Sequence, residues 1–330
     1  MTSNGTGPRR PAAVARVRDL LRGRVVAATL TPFHADGRIA REAVAGYAAA
    51  LRRGGAGALA VGAHTGRGGR LQPDDLAVLV SEYADASGLP IIAGLALAPE
   101  RPVEDAIRLG LRLRAAGAAA LLVCPVSGAS PADIVRLHER LGEETELPLM
   151  AFVLYERASG CQYAEETVAE LLTLPWVCGV KLALLDNAVA CQDILATARA
   201  VDPDALVMTG EDRMYGPSLM WGADTALLGI ASALPEWSVA VLDAWTRGDH
   251  ASFVAASTRL DALGRLTFRE PMEGYVQRMA WIAAWQGILP SEVAVDPFGP
   301  PLPAGERERL LSAVRALADT PDARLCQSRL

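Results

Sequence analysis

Eight short apolar runs recur along this 330-residue chain, and that recurrence limits its possible folds more than any other feature. The runs lie near Val25–Leu30, Ala56–Val61, Pro90–Ala93, Ala118–Cys124, Pro148–Leu154, Trp176–Leu182, Ala205–Thr209 and Thr225–Ile230. Their starts are 28 to 34 residues apart except at the last step, which is shorter. Each is rich in Val, Ile, Leu or Ala and has the length of a strand buried on both faces. The segments between them have a helical period. After Pro102, for example, Val103, Ala106, Ile107 and Leu111 share a face, and Gly117 can close the helix. The strings Gly54–Val61, Ala115–Val123 and Trp221–Gly229 each set a helix-ending glycine just before an apolar run, as a short connection requires.

Strands alternating with helices call for a parallel sheet, and eight consecutive units favour a closed barrel over an open one. No GxGxxG follows the first run, so a dinucleotide site is not indicated. The expected fold is α/β, a (β/α)8 TIM barrel over residues 24–247, preceded by a tail and short helix over 1–23. Helices are then expected at Pro235–Arg247, Ser252–Leu266, Met272–Gln286 and Gly305–Ala318. Residues 248–320 form a C-terminal helical extension of the same domain in this reading, and 321–330 a tail.

Composition excludes several function classes. No apolar run approaches the roughly 18 residues of a membrane span, and the start lacks the apolar segment of a secretory signal, so the expectation is a cytoplasmic protein without membrane partners. The first 24 residues carry six arginines against one acid, Asp19. A frayed tail leading into a short helix explains these better than a transit peptide or a nucleic-acid arm; net charge is −6 and no basic, aromatic-interleaved stripe follows. Five scattered cysteines, Cys124, Cys161, Cys178, Cys191 and Cys326, have no paired zinc spacing and read as reduced thiols. His34, His138 and His250 read as surface residues.

Among 32 basic residues Lys181 is the single lysine, leaving 31 arginines. Arginine replaces lysine in charge but stays protonated, whereas a buried amine can lose its proton and attack a carbonyl. Lys181 lies toward the C-terminal end of the sixth run, the face where barrel enzymes carry their active sites. If it points into the barrel, alternation turns Gly179 inward with room below it and turns Cys178 and Val180 toward the helices. A lysine that merely snorkels into solvent is the competing reading.

Other strand ends line the same mouth. In Gly62–Arg70, glycines expose backbone N–H groups while His64 and Thr65 add donors, which suits a carboxylate cradle. His64 can also carry protons, and Arg67 can pair with an anionic substrate. After the fifth run come Phe152, Tyr155 and Arg157. After the seventh come Gly210, Glu211 and Asp212, whose acids have a plainer role as complements of a helix dipole. A metal held by His64, Glu211 and Asp212 is disfavoured, since two loops supply too few ligands.

With these residues located, the chain resembles the dihydrodipicolinate synthase and N-acetylneuraminate lyase superfamily from about Arg24 to Ala318. Gly179–Ala183, GVKLA, resembles the family's GIKD around its imine-forming lysine. Ala28–Phe33, ATLTPF, is similar to the family's opening strand, and GAHTGR is similar to its GGSTGE or GTTGE loop. MTGED (Met208–Asp212) resembles FSGDD, Gly222–Ala231 resembles GADGVISVA, and Gly299–Leu310 resembles a C-terminal RPPL segment. The resemblance implies a class I aldolase on a (β/α)8 barrel, with no metal or organic cofactor, assembled as a homo-oligomer, tetramer or dimer. Its small-molecule partner would be pyruvate, another 2-keto acid or an aldehyde. Lys181, His64 and Tyr155 are then the expected chemical groups. Thr65, Gly66, Arg67, Phe152, Arg157, Gly210, Glu211 and Ile230 are the expected substrate contacts.

The departures concern proton transfer. Phe152 stands where the family has the tyrosine of YNVP, and a second family tyrosine falls near Val126 or Ser127 here. Arg67 replaces the loop acid, and His64 stands where Ser or Thr is usual. Three activities are compatible with these residues: a Schiff-base lyase with His64 or Tyr155 moving the proton, a dehydratase or hydratase on the same scaffold, and a non-catalytic carbonyl- or carboxylate-binding barrel.

Overall fold

A computed structural model describes residues 10–161, 163–185 and 187–321. The eight runs form the strands β1 (Val25–Ala28), β2 (Ala58–Val61), β3 (Ile91–Leu95), β4 (Ala120–Val123), β5 (Leu149–Leu154), β6 (Val177–Ala183), β7 (Leu206–Thr209) and β8 (Thr225–Leu228). All pair in parallel in sequence order, and β8 returns to β1 to close the barrel. The apolar runs are continuous because both faces of each strand are covered. Val26, Ala28, Ala58, Ala60, Met150 and Met208 fill the interior, while Val25, Ala27, Leu59, Val61, Ala151 and Val207 pack in the outer shell.

The helix-ending glycines act as expected. Gly55, Gly117 and Gly222 have φ of 92°, 95° and 106°, a region that L side chains adopt only with strain. Beyond the barrel, helices span His250–Thr267, Tyr275–Trp285 and Glu306–Ala318. A single helical turn, Met272–Gly274, leads into the second of these. No helix among the described residues is long and apolar enough to cross a membrane.

The arginine-rich start has a structural use. Helix Ala12–Leu21 lays Val14, Val17 and Leu21, spaced along one face, against the interior residues at the N-terminal end of the barrel. Arg18 Nε donates to the Cys178 carbonyl at 2.8 Å, and its Nη2 reaches Asp202 Oδ2 at 2.5 Å. Arg10 donates to the carbonyls of Leu172, Leu174 and Val177 and to Asp202 at 2.7 Å. Residues 1–9 and 322–330, including Cys326 and nearly all of the expected C-terminal tail, lie outside the described residues.

Two expectations of strand geometry are corrected. The β5–β6 register shifts between Leu149 and Met150, which face Val177 and Gly179, so Cys178 is the extra residue of a bulge. Cys178 therefore packs with the interior set and not against the helices. Gly179 is required by the neighbouring strand, because a Cβ there would lie 2.0 Å from the Leu206 carbonyl oxygen. His138 is also not a surface residue. It is 1 % exposed, its Nδ1 donates to the Ile134 carbonyl at 2.8 Å, and burial lowers its pKa to about 4.

Candidate active site

Strand β6 carries Lys181 into the C-terminal mouth of the barrel, where it is 6 % exposed. Its Nζ sits 3.9 Å from the centroid of the Phe152 ring on the adjacent strand, the register partner of Lys181. Burial pulls the amine below the ordinary lysine range, against the opposing pull of Asp212, Cys124 and Glu211. Gly210, at the end of β7, leaves the passage for this side chain, since a Cβ there would lie 2.4 Å from Lys181 Cε. The carboxyl of Asp212 is pushed above the usual range by burial and accepts the Ile230 N–H at 2.7 Å.

The amine opens into a small inner chamber of about 30 Å³, lined by Thr65, Phe152, Tyr155, Asp212 and Tyr275 among others. His64, Leu154, Tyr155 and Met272 also line a larger outer vestibule of about 640 Å³, so the two adjoin. Arg70, Cys124, Arg157 and Glu270 lie in that vestibule. Arg157 is exposed, with its guanidinium 3.0 Å from Glu270. Cys124, at the end of β4, has its thiol pushed up to about 11 by burial.

Glu273 lines the vestibule and bonds His64 and Tyr155, which line both cavities; nothing in the sequence motifs singled it out. His64 Nε2 donates to its carboxylate at 3.0 Å, Tyr155 Oη at 2.6 Å and Arg67 Nη1 at 2.8 Å. Burial disfavours the charge, yet hydrogen bonds from His64, Tyr155 and Arg67 hold the carboxyl well below the usual range. Burial and the Glu273 carboxylate together push the Tyr155 phenol far above its ordinary value, so it remains a donor.

Several expected contacts have other work. Arg67 pairs with Glu273 and forks onto Asp296 at 2.7 and 3.2 Å, so it organises the mouth and is not open to an anionic substrate. Glu211 is fully buried and accepts the backbone N–H groups of Leu184 and Leu185, fixing the loop after β6. The following helix begins only at Tyr215, so neither Glu211 nor Asp212 complements its first turn. Ile230 offers its N–H to Asp212 and packs in the outer shell, away from the chamber lining. Gly66 turns its carbonyl to the Thr31 hydroxyl at 2.7 Å, and a Cβ on it would lie 2.9 Å from the Thr29 carbonyl oxygen.

Tyr275 was missed as well. Its hydroxyl lies 3.0 Å from Thr65 Oγ1, and its ring stacks on Phe268 at 4.6 Å and on His64 at 6.2 Å. The available signal was the stretch EPMEGY (Glu270–Tyr275), an acid and a tyrosine two residues apart behind a proline, which the sequence marks only as a helix start.

The model of the dihydrodipicolinate synthetase family matches residues 21–316. A 4-hydroxy-tetrahydrodipicolinate synthase of Synechococcus sp. (strain CC9605) is 31 % identical over 252 residues, covering 74 % of this chain and 80 % of that one. A probable 5-dehydro-4-deoxyglucarate dehydratase of Streptomyces coelicolor is 34 % identical over 181 residues, 54 % of this chain and 53 % of the other. In structure, the chain is similar to YagE, a prophage protein of the dihydrodipicolinic acid synthase family from E. coli K12 solved in complex with pyruvate. The TM-score is 0.81 at 20 % identity, covering 89 % of this chain and 98 % of that one.

Proposed function

Because this chain belongs to the dihydrodipicolinate synthetase family, whose members are lyases of the class I aldolase type, we propose that it is a Schiff-base lyase acting on a 2-keto acid through Lys181. The observation that carries this reading is the single lysine of the chain, buried at the barrel mouth with its pKa lowered to about 8. Such an amine is neutral in a useful fraction near neutral pH and can add to a carbonyl. The Phe152 face beneath it favours a cation by the attraction of its π-system, and therefore favours the protonated iminium once formed.

The main-chain N–H groups of Thr65 and Gly66 hold the keto acid's carboxylate in this reading, and the vestibule accepts the rest of the substrate. His64 and Tyr155, both donating to Glu273, move the proton at the far end, where a bond to carbon or oxygen breaks. Arg157 meets a distal anionic group. Its exposed pairing with Glu270 is worth roughly 0–1 kcal/mol, so the guanidinium can exchange partners. Residues 24–247 and 248–320 act as one domain, the second supplying Glu273, and the enzyme works as a homo-oligomer without metal or organic cofactor.

A dehydratase is the second reading, favoured by the Streptomyces relative. An iminium at Lys181 acidifies the neighbouring carbon, which lets hydroxide leave in place of a carbon fragment. Turnover of a panel of aldols and of hydroxylated 2-keto acids, with products identified by mass, separates the two. His64→Ala is expected to lower turnover by roughly 10²-fold or more while leaving imine formation largely intact. Equal loss of both would remove His64 as the distal proton carrier. A wild-type enzyme that turns over no member of either class would overturn both readings.

A further inference from the structure

If Lys181 forms an imine, the carbinolamine must lose water and the adjacent carbon must lose a proton, and Phe152 has no hydroxyl for either step. Among the groups lining the inner chamber, Thr65 and Tyr275 bring two hydroxyls together, 3.0 Å apart. They come from opposite parts of the chain. Thr65 follows β2, and Tyr275 opens the helix Tyr275–Trp285 of the C-terminal extension. Both are buried, at 4 % and 5 % exposed.

The surroundings hold this pair in one geometry. The Tyr275 ring stacks with both His64 and Phe268, at interplanar angles of 20° and 21°. Gly229, just past β8, keeps the space open: a Cβ there would lie 3.0 Å from Thr65 Oγ1, 3.1 Å from Tyr275 Cε2 and 3.4 Å from Asp212 Oδ2. Tyr155, the other tyrosine of the chamber, donates its hydroxyl proton to Glu273 and is engaged at the vestibule side. Burial, reinforced by Glu273, raises Tyr275 well above the ordinary phenol range, so it begins the cycle protonated.

We propose that Tyr275, acting through Thr65, is the proton-transferring hydroxyl of this site, replacing from the C-terminal extension the group that Phe152 lacks. The inference rests on the reading of Lys181 as the imine-forming amine. The steps balance without an outside acid. Neutral Lys181 adds to the carbonyl, and the hydroxyl pair relays one proton from nitrogen to oxygen, giving a neutral carbinolamine. Tyr275 then passes its proton through Thr65 to the departing hydroxyl. The C–O bond breaks, water leaves, and a protonated iminium faces a tyrosinate. Finally the C3–H bond breaks, its proton returns by the same path to Tyr275, and the neutral enamine remains.

The test uses pyruvate as probe and reads two quantities on the whole enzyme. Borohydride trapping followed by intact mass gives the amount of imine, and NMR in D2O gives proton–deuterium exchange at pyruvate C3. In Tyr275→Phe, which keeps the stacked ring, exchange per unit of trapped imine is expected to fall by roughly 10²-fold or more. Exchange within about threefold of wild type would overturn the relay while leaving the Lys181 reading intact. A wild-type enzyme that traps no adduct would overturn that reading and the relay with it. Should Tyr275→Phe lose its cooperative melt, Thr65→Val breaks the same path from the other end. Thr65→Ser is then expected to restore exchange per imine, and failure to restore it contradicts the proposal.

Discussion

The two ends of the barrel use the same ionic chemistry to different effect. At the N-terminal floor, Arg10 and Arg18 converge on Asp202 and donate to main-chain carbonyls of the segment 172–178, beside Val14, Val17 and Leu21. At the C-terminal mouth, Arg67 holds Glu273 and Asp296, and Glu273 in turn receives His64 and Tyr155. The floor has two cations on one acid and closes a core. The mouth has one cation on two acids and surrounds a cavity in which a lysine is desolvated. Buried charge alone therefore does not distinguish the two ends. A titratable amine beside open volume does.

Replacing Arg67 with methionine attacks the mouth where it is least compensated. Arg67 is 10 % exposed and Asp296 only 1 % at the side chain, so removing the guanidinium strands a buried carboxylate. Unfolding stability is expected to fall by about 3–5 kcal/mol, read by denaturant melts, with turnover lost as Glu273 drifts. At the floor the matching variant, Arg18→Met, leaves Arg10 on Asp202. Its expected cost is smaller, about 1.5–3 kcal/mol from lost charged hydrogen bonds, with kcat unchanged. If Arg18→Met slowed turnover as much as Arg67→Met, the division of labour between the ends would fail.

A pH profile separates the ends again, with an effect near tenfold per unit. The Lys181 amine, lowered by burial to about 8, is protonated below that pH and cannot add to a carbonyl. The rate of imine formation should rise as pH rises toward about 8 and level off above it, measured by trapping at short times. At the floor, burial opposes ionisation of Asp202, but Arg18 and Arg10 hold its pKa below the ordinary value, so it stays charged throughout this range. An imine-formation rate flat between pH 6 and 9 would mean that the amine's protonation does not control the step.

Much of this was legible in the sequence because local signals agreed with the global fold. Strand runs and helix-closing glycines follow from backbone and packing rules that act over a few residues, and the place of Lys181 late in the sixth run was enough to put it at the C-terminal mouth. The partners of the mouth were not legible, because Glu273, Tyr275 and Asp296 lie about 200 residues or more from the His64–Arg67 loop they bond. Arg67 looked open to substrate and Ile230 looked like a pocket residue for the same reason: sequence spacing does not reveal that an acid from another element already occupies each donor. Cys178 was assigned to the wrong face because strict alternation cannot anticipate a bulge.

Covalent chemistry at Lys181 is tested most directly by reduction with borohydride in the presence of pyruvate, followed by peptide mass mapping. A reduced pyruvyl adduct is expected on the peptide carrying Lys181, absent in Lys181→Arg although that variant keeps its fold. A wild-type enzyme without adduct, or an adduct that persists equally in Lys181→Arg, would contradict it.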